Sequence, residues 1–140
     1  MHSAFHLPML ALVALTLLVW VLAALRRVRE ISARRLPLQS LARARDVAMA
    51  LEDGQVMDNF NNLLQMPVLF YAACLALAQT GNASPALLAV AWIYVLLRVV
   101  HSAIQITVNR VRHRFYAWMA SGLALLVLWA GFALSLLPSF

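Results

Sequence analysis

Lysine is absent from this 140-residue chain, so all eleven basic side chains are arginine, and acidic residues number only five. Charged residues make up 11% of the chain, against roughly 25% in an ordinary soluble domain. The single cysteine, Cys74, excludes an internal disulfide framework. Its setting in "VLFYAACLALA" makes it a small buried hydrophobe. No Cys/His spacing suits a metal, so no metal site is expected. Neither a phosphate loop nor a nucleophile–base pattern such as GxSxG occurs. Internal repeats and low-complexity tracts are missing too.

What is there is apolar. Hydrophobic residues reach 64% and the mean hydropathy is +0.83, values of a chain whose solvent is mostly lipid. Four segments are long enough to cross the hydrocarbon core, which takes roughly 20 residues. They run from about Phe5 to Leu25, Phe60 to Thr80, Pro85 to Thr107 and Phe115 to Leu137. Lipid offers no partner to an open backbone, so each is read as a helix. The fold expected for residues 1–140 is one all-α integral membrane domain, a bundle of four transmembrane helices. The first apolar run resembles a signal peptide, but it lacks a positive n-region, is too long, and its arginines follow it. It is expected to be a retained helix.

The net charge of +6 and a pI near 11.1 would suggest nucleic acid in a soluble protein. Here the arginines flank apolar segments, so they report topology and no nucleic-acid partner is expected. Arg26, Arg27, Arg29, Arg34, Arg35, Arg43 and Arg45 occupy the first connection, and Arg110, Arg112 and Arg114 the third. The middle connection, "QTGNASP", and both termini hold none. The positive-inside rule then makes the first and third connections cytoplasmic and both termini non-cytoplasmic. Tyr116 and Trp118 suit an aromatic belt at that interface. Within the first connection, "LARARDVAMALEDG" can form a surface helix.

One arginine remains, and it lies inside an apolar segment. In "RVVHSAIQITVNRVRHRF", Tyr94, Arg98, His101, Gln105, Asn109 and Arg112 follow helical steps and share one face. Arg98 is 12 residues from Arg110, about 18 Å along a helix. An arginine near the bilayer centre costs about 2.5–3.5 kcal/mol, and each Leu, Ile or Val returns about 0.3–0.6. About a dozen such residues are present in the segment, so Arg98 with His101 and Gln105 nearly cancels their gain. The stripe must face a bundle interior or a wet cavity. A purely structural hydrogen-bond network is the alternative.

The second segment supplies an opposite wall. Asp58, Asn62 and Gln65 are spaced four and three apart, and Pro67 predicts a kink just beyond them. Ordinary interfacial polarity with a cap at Asp58 or Asn59 is the alternative, and Gln65 fits it poorly. Together the walls form a cleft open to the cytoplasm, with Arg98, His101 and Gln105 facing Asn62 and Gln65, and with Arg110 and Arg114 at its rim. Such a cleft is positive and suits an anionic or carboxylate-bearing ligand.

"NNLLQMPVLFY" and "RVVHSAIQITVNRVRHRF", with four helices and both termini outside, resemble the MAPEG family, membrane-associated proteins in eicosanoid and glutathione metabolism. The likeness runs from about Asp58 to the C-terminus and is closest to short bacterial members, which implies a bacterial inner membrane. It implies a homotrimer with sites between subunits at the cytoplasmic side. There, family members join the thiolate of glutathione, as co-substrate, to a lipophilic electrophile, or reduce a peroxide. On this likeness Arg98 and His101 match the family's Arg-x-x-His/Tyr pattern, and Arg114 most nearly matches its thiolate-stabilising arginine. Asn62 matches the second-helix asparagine. The chain departs from the family at Gln65, where a glutamate is usual, at Gln105 for tyrosine, and at Asp58 for arginine. His101 is then read as a hydrogen-bond partner rather than a general base. A non-catalytic trimer that binds an anionic lipid or acidic ligand is the second reading, and a proton or ion pathway through Arg98 and His101 a third. The carboxylate-poor interior argues against the third.

Overall fold

The computed structural model describes residues 2–52, 54–80 and 84–137. Residues 81–83 of the middle connection lie outside them. Six α-helices follow a short 3-10 turn, His2–Phe5: α1 (His6–Arg34), α2 (Ala44–Ala50), α3 (Gln55–Leu64), α4 (Pro67–Thr80), α5 (Pro85–Ile106) and α6 (Val111–Ser135). A second 3-10 turn, Leu38–Leu41, precedes α2. Among the described residues there is no strand. Among the described residues four stretches are long and apolar enough to cross a membrane: α1, α3 with α4, α5, and α6. The chain is a four-span helical bundle.

The boundaries differ from the sequence-based ones for local reasons. At 29 residues, α1 is about 43 Å long and projects past the hydrocarbon among its arginines. Arg35 ends it with a left-handed φ of 51°, where the Leu36 amide donates to the Ile31 carbonyl and Pro37 blocks continuation. Arg34 then ties the tip to the first connection, donating to Glu30 at 3.1 Å and to the Ala50 carbonyl at 2.8 Å. The second span breaks rather than bends. Pro67 has no amide to donate, and Gln65, at φ −92° and ψ −96°, leaves the helical region. By contrast, α5 has a complete start: Ser84 caps it by accepting from the Leu87 amide at 3.2 Å, and Pro85 takes the first turn.

The third span stops at Ile106, so Asn109 and Arg112 do not extend the polar stripe of α5. Asn109 takes φ 44°, a conformation asparagine tolerates, and its amide donates to the Ile104 carbonyl at 2.7 Å. This tight turn lets α6 begin at Val111, four residues before the expected start, and pack closely along α5.

The core is built from α1's seam of Leu12, Val19 and Ala23, from Val56 and Leu63 of α3, and from Phe70, Ala73, Cys74 and Leu77 of α4. Ala91, Tyr94 and Val95 of α5 and Ala124, Leu125 and Leu128 of α6 close it. Phe70 stacks on Tyr94 with centroids 4.5 Å apart. The outer faces stay apolar, with Leu18, Leu96, Leu126 and Leu134 exposed, as a bundle solvated by lipid requires. Cys74 is fully buried and packs as one more core side chain.

Candidate functional site

Polar side chains meet where α3, α5 and the start of α6 converge. Asn59 and Asn62, one turn apart on α3, face Arg98, Ser102 and Gln105 of α5. The Arg98 Nη2 donates to the Asn62 carbonyl at 2.8 Å. The Asn62 amide meets the Gln105 side-chain oxygen at 3.2 Å, and the Ser102 hydroxyl donates to Asn59 Oδ1 at 3.1 Å. Gln105 is 1% exposed, so it is a strut between two helices rather than a surface offered to a ligand.

His101 joins this network to α6. Its Nδ1 lies 3.0 Å from the Arg114 carbonyl oxygen and its Nε2 3.0 Å from the Gln105 side chain. A carbonyl only accepts, so Nδ1 carries a proton. In a neutral ring Nε2 must then accept, which turns the Gln105 and Asn62 amides around together. In a doubly protonated ring the Gln105 oxygen accepts from both His101 and Asn62. Protonation of His101 therefore reverses the polarity of the chain that ends at Asn62.

Arg114 is placed by the turn before it. The left-handed Asn109 offers its Oδ1 to Arg114 Nη1 at 2.8 Å. Asn62, His101, Val111, Arg114, Phe115 and Trp118 together line a cavity of about 210 Å³ at the arginine-rich end of the bundle. A second cavity of the same size, about 210 Å³, lies deeper and includes Tyr94, Arg98 and Ser121 among its walls. Trp118 is common to the two linings. The single cleft read from the sequence is thus two spaces, with His101, Asn62 and Arg114 in one and Arg98 in the other.

The remaining candidates stand elsewhere. Asp58 is exposed and lines a groove of about 460 Å³ with Arg26, Arg27, Glu52 and Asn61. Gln65 is exposed at the break after α3. Arg110 is exposed at the N-cap of α6, outside the Arg114 cavity. Spacing alone missed three contributors. Ser102 stands one turn past Arg98 on the same face, and Asn59 one turn before Asn62, so helical geometry held both signals. Trp118 carried no such signal, because its role depends on how α6 leans on α5. Among the described residues no His, Cys, Asp and Glu group could hold a metal.

A family model, that of the MAPEG family, matches residues 5–134. Neither a curated protein nor a solved structure matches the chain significantly. A match over nearly the whole length, on a four-span helical bundle, shows that the chain belongs to the MAPEG family.

Proposed function

We propose that the chain is a membrane-bound glutathione-dependent transferase or peroxidase acting on lipophilic electrophiles, with Arg114 holding the thiolate. One observation carries this reading: Arg114, His101 and Asn62, from three separate helices, line one cavity at the arginine-rich end. A free thiol with pKa about 8.5 must fall roughly 1.5 units to be mostly ionised at neutral pH, worth about 2 kcal/mol. One guanidinium about 4 Å from sulfur supplies around 4 kcal/mol at an effective dielectric near 20, before desolvation. Arg114 alone is sufficient for activation. His101 and Gln105 then hold Asn62 and the α6 start in register.

The residues fit glutathione in part. A cation and amide donors are present for its thiolate and carboxylates, but no carboxylate lines the cavity for its ammonium group. In the homotrimer that we propose, a neighbouring subunit covers the open side and completes the site. Both termini then lie on the non-cytoplasmic side of a bacterial inner membrane, and the cavity opens to the cytoplasm, where glutathione is plentiful.

The family also includes non-catalytic members. Gln65, Gln105 and Asp58 favour that second reading, in which the cavity holds an anionic lipid or acidic ligand without chemistry. Turnover separates the two. With 1-chloro-2,4-dinitrobenzene the sulfur bonds to the chlorine-bearing carbon and chloride leaves. The purified protein should catalyse this, and Arg114→Ala should lower kcat about tenfold or more at neutral pH. Absence of both conjugation and peroxide reduction in the wild type would sink the catalytic reading.

A further inference from the structure

Arg114 is held from two sides. Its carbonyl oxygen meets His101 Nδ1 at 3.0 Å, which fixes the main chain at the start of α6. Its guanidinium donates through Nη1 to Asn109 Oδ1 at 2.8 Å. Asn109 lies outside both helices, in the turn after α5, at φ 44°. Its own amide donates to the Ile104 carbonyl at 2.7 Å, so the turn that presents this side chain is itself tied to α5.

Position 109 makes two demands at once. A left-handed φ is routine for glycine, tolerated by asparagine and aspartate, and costly for most other residues. The guanidinium asks for an acceptor. Glycine meets the first demand and has no side chain for the second. Aspartate meets both, but its carboxylate would cancel the charge of the arginine it binds. Asparagine supplies the turn and an acceptor that is neutral. Among the described residues no carboxylate lines the Arg114 cavity, while Asn109 shares a groove of about 520 Å³ with Glu52 and Asp58. Glu52 pairs with Arg34 at 3.5 Å, and Asp58 is exposed. Two carboxylates thus border the same groove, and the group that touches the guanidinium is an amide.

We propose that Asn109 is a positioning residue for thiolate formation: its amide aims the Arg114 guanidinium into the cavity and leaves the positive charge uncancelled. The inference rests on the glutathione reading above and adds a residue that reading does not use. A tethered guanidinium keeps a constant distance to the sulfur. A free one swings toward water, where the same charge is screened. Asn109 takes one of the five N–H donors of a guanidinium, and the others remain for an anion. The thiol proton goes to solvent on ionisation.

The test titrates the thiolate absorbance of glutathione with the intact, detergent-solubilised protein against pH, for wild type, Asn109→Asp and Asn109→Gly. The neighbouring titratable and charged groups are common to all three: His101 on α5, Arg110, Arg112, His113 and Arg114 at the start of α6, Asp58 on α3 and Glu52 before it. Asn109→Asp should raise the thiolate midpoint by about one unit or more, because a carboxylate then sits against the arginine. Asn109→Gly should raise it by about half a unit, the effect of one lost hydrogen bond. Its melting temperature should change little, since glycine suits the left-handed turn. A merely structural role would lower the melting temperature and leave the midpoint in place. Wild-type midpoints in both variants, or a larger shift for glycine than for aspartate, would overturn the inference while the glutathione reading stands. A wild type with no thiolate band would overturn that reading, and this inference with it.

Discussion

Gln105 shows how one buried side chain holds three helices. Its amide meets both Asn62 of α3 and His101 of α5, and His101 meets the Arg114 carbonyl of α6. Replacing it by leucine leaves the His101 Nε2 and the Asn62 amide unpaired in a setting that returns no water. Each such loss costs about 1–3 kcal/mol, so Gln105→Leu should destabilise the protein by about 2–4 kcal/mol. Chemical denaturation of the detergent-solubilised protein measures this. Unchanged stability would mean that the amide is a bystander. The i, i+3, i+4 spacing of Arg98, His101 and Gln105 made their common face legible in the sequence. Their division of labour was not. Whether a side chain on that face reaches a cavity or another helix depends on how far α3 is rotated, which only packing decides.

Among the elements, the four spans were legible because hydrophobic length alone marks them. Their ends were not, since ends are set by turn chemistry. A left-handed Arg35 ends α1 just after Arg34, and a left-handed Asn109 follows the end of α5 at Ile106, taking Asn109 away from the stripe and onto Arg114. The proline signal was plain, and its consequence was larger than a kink, a full interruption between α3 and α4. That break sets the pitch of α3 and with it the position of Asn62. Pro67→Ala lets the missing amide bond form, which favours a continuous helix by about 3 kcal/mol locally. The expected result is an equal or higher melting temperature with glutathione turnover lowered about tenfold or more, as Asn62 swings out of place. Full activity in a more stable Pro67→Ala protein would show that the break is incidental to the site.

At the scale of the whole molecule, charge and polarity are segregated along the bundle axis. The cytoplasmic end that we propose carries ten of the eleven arginines and all five acids, and the Arg114 cavity opens there. The eleventh, Arg98, stands buried within the apolar third span. This arrangement suits an enzyme that joins a soluble thiol to a membrane-dissolved electrophile. On the function that we propose, thiolate formation belongs to the cavity that Arg114 lines. The most direct measurement is the ultraviolet difference spectrum of the purified protein on adding glutathione, read at the thiolate absorbance for the wild type and Arg114→Ala. The account predicts a thiolate band at neutral pH in the wild type that is lost in the variant. A wild type without the band, or a variant that keeps it, would contradict Arg114 as the group that holds the thiolate.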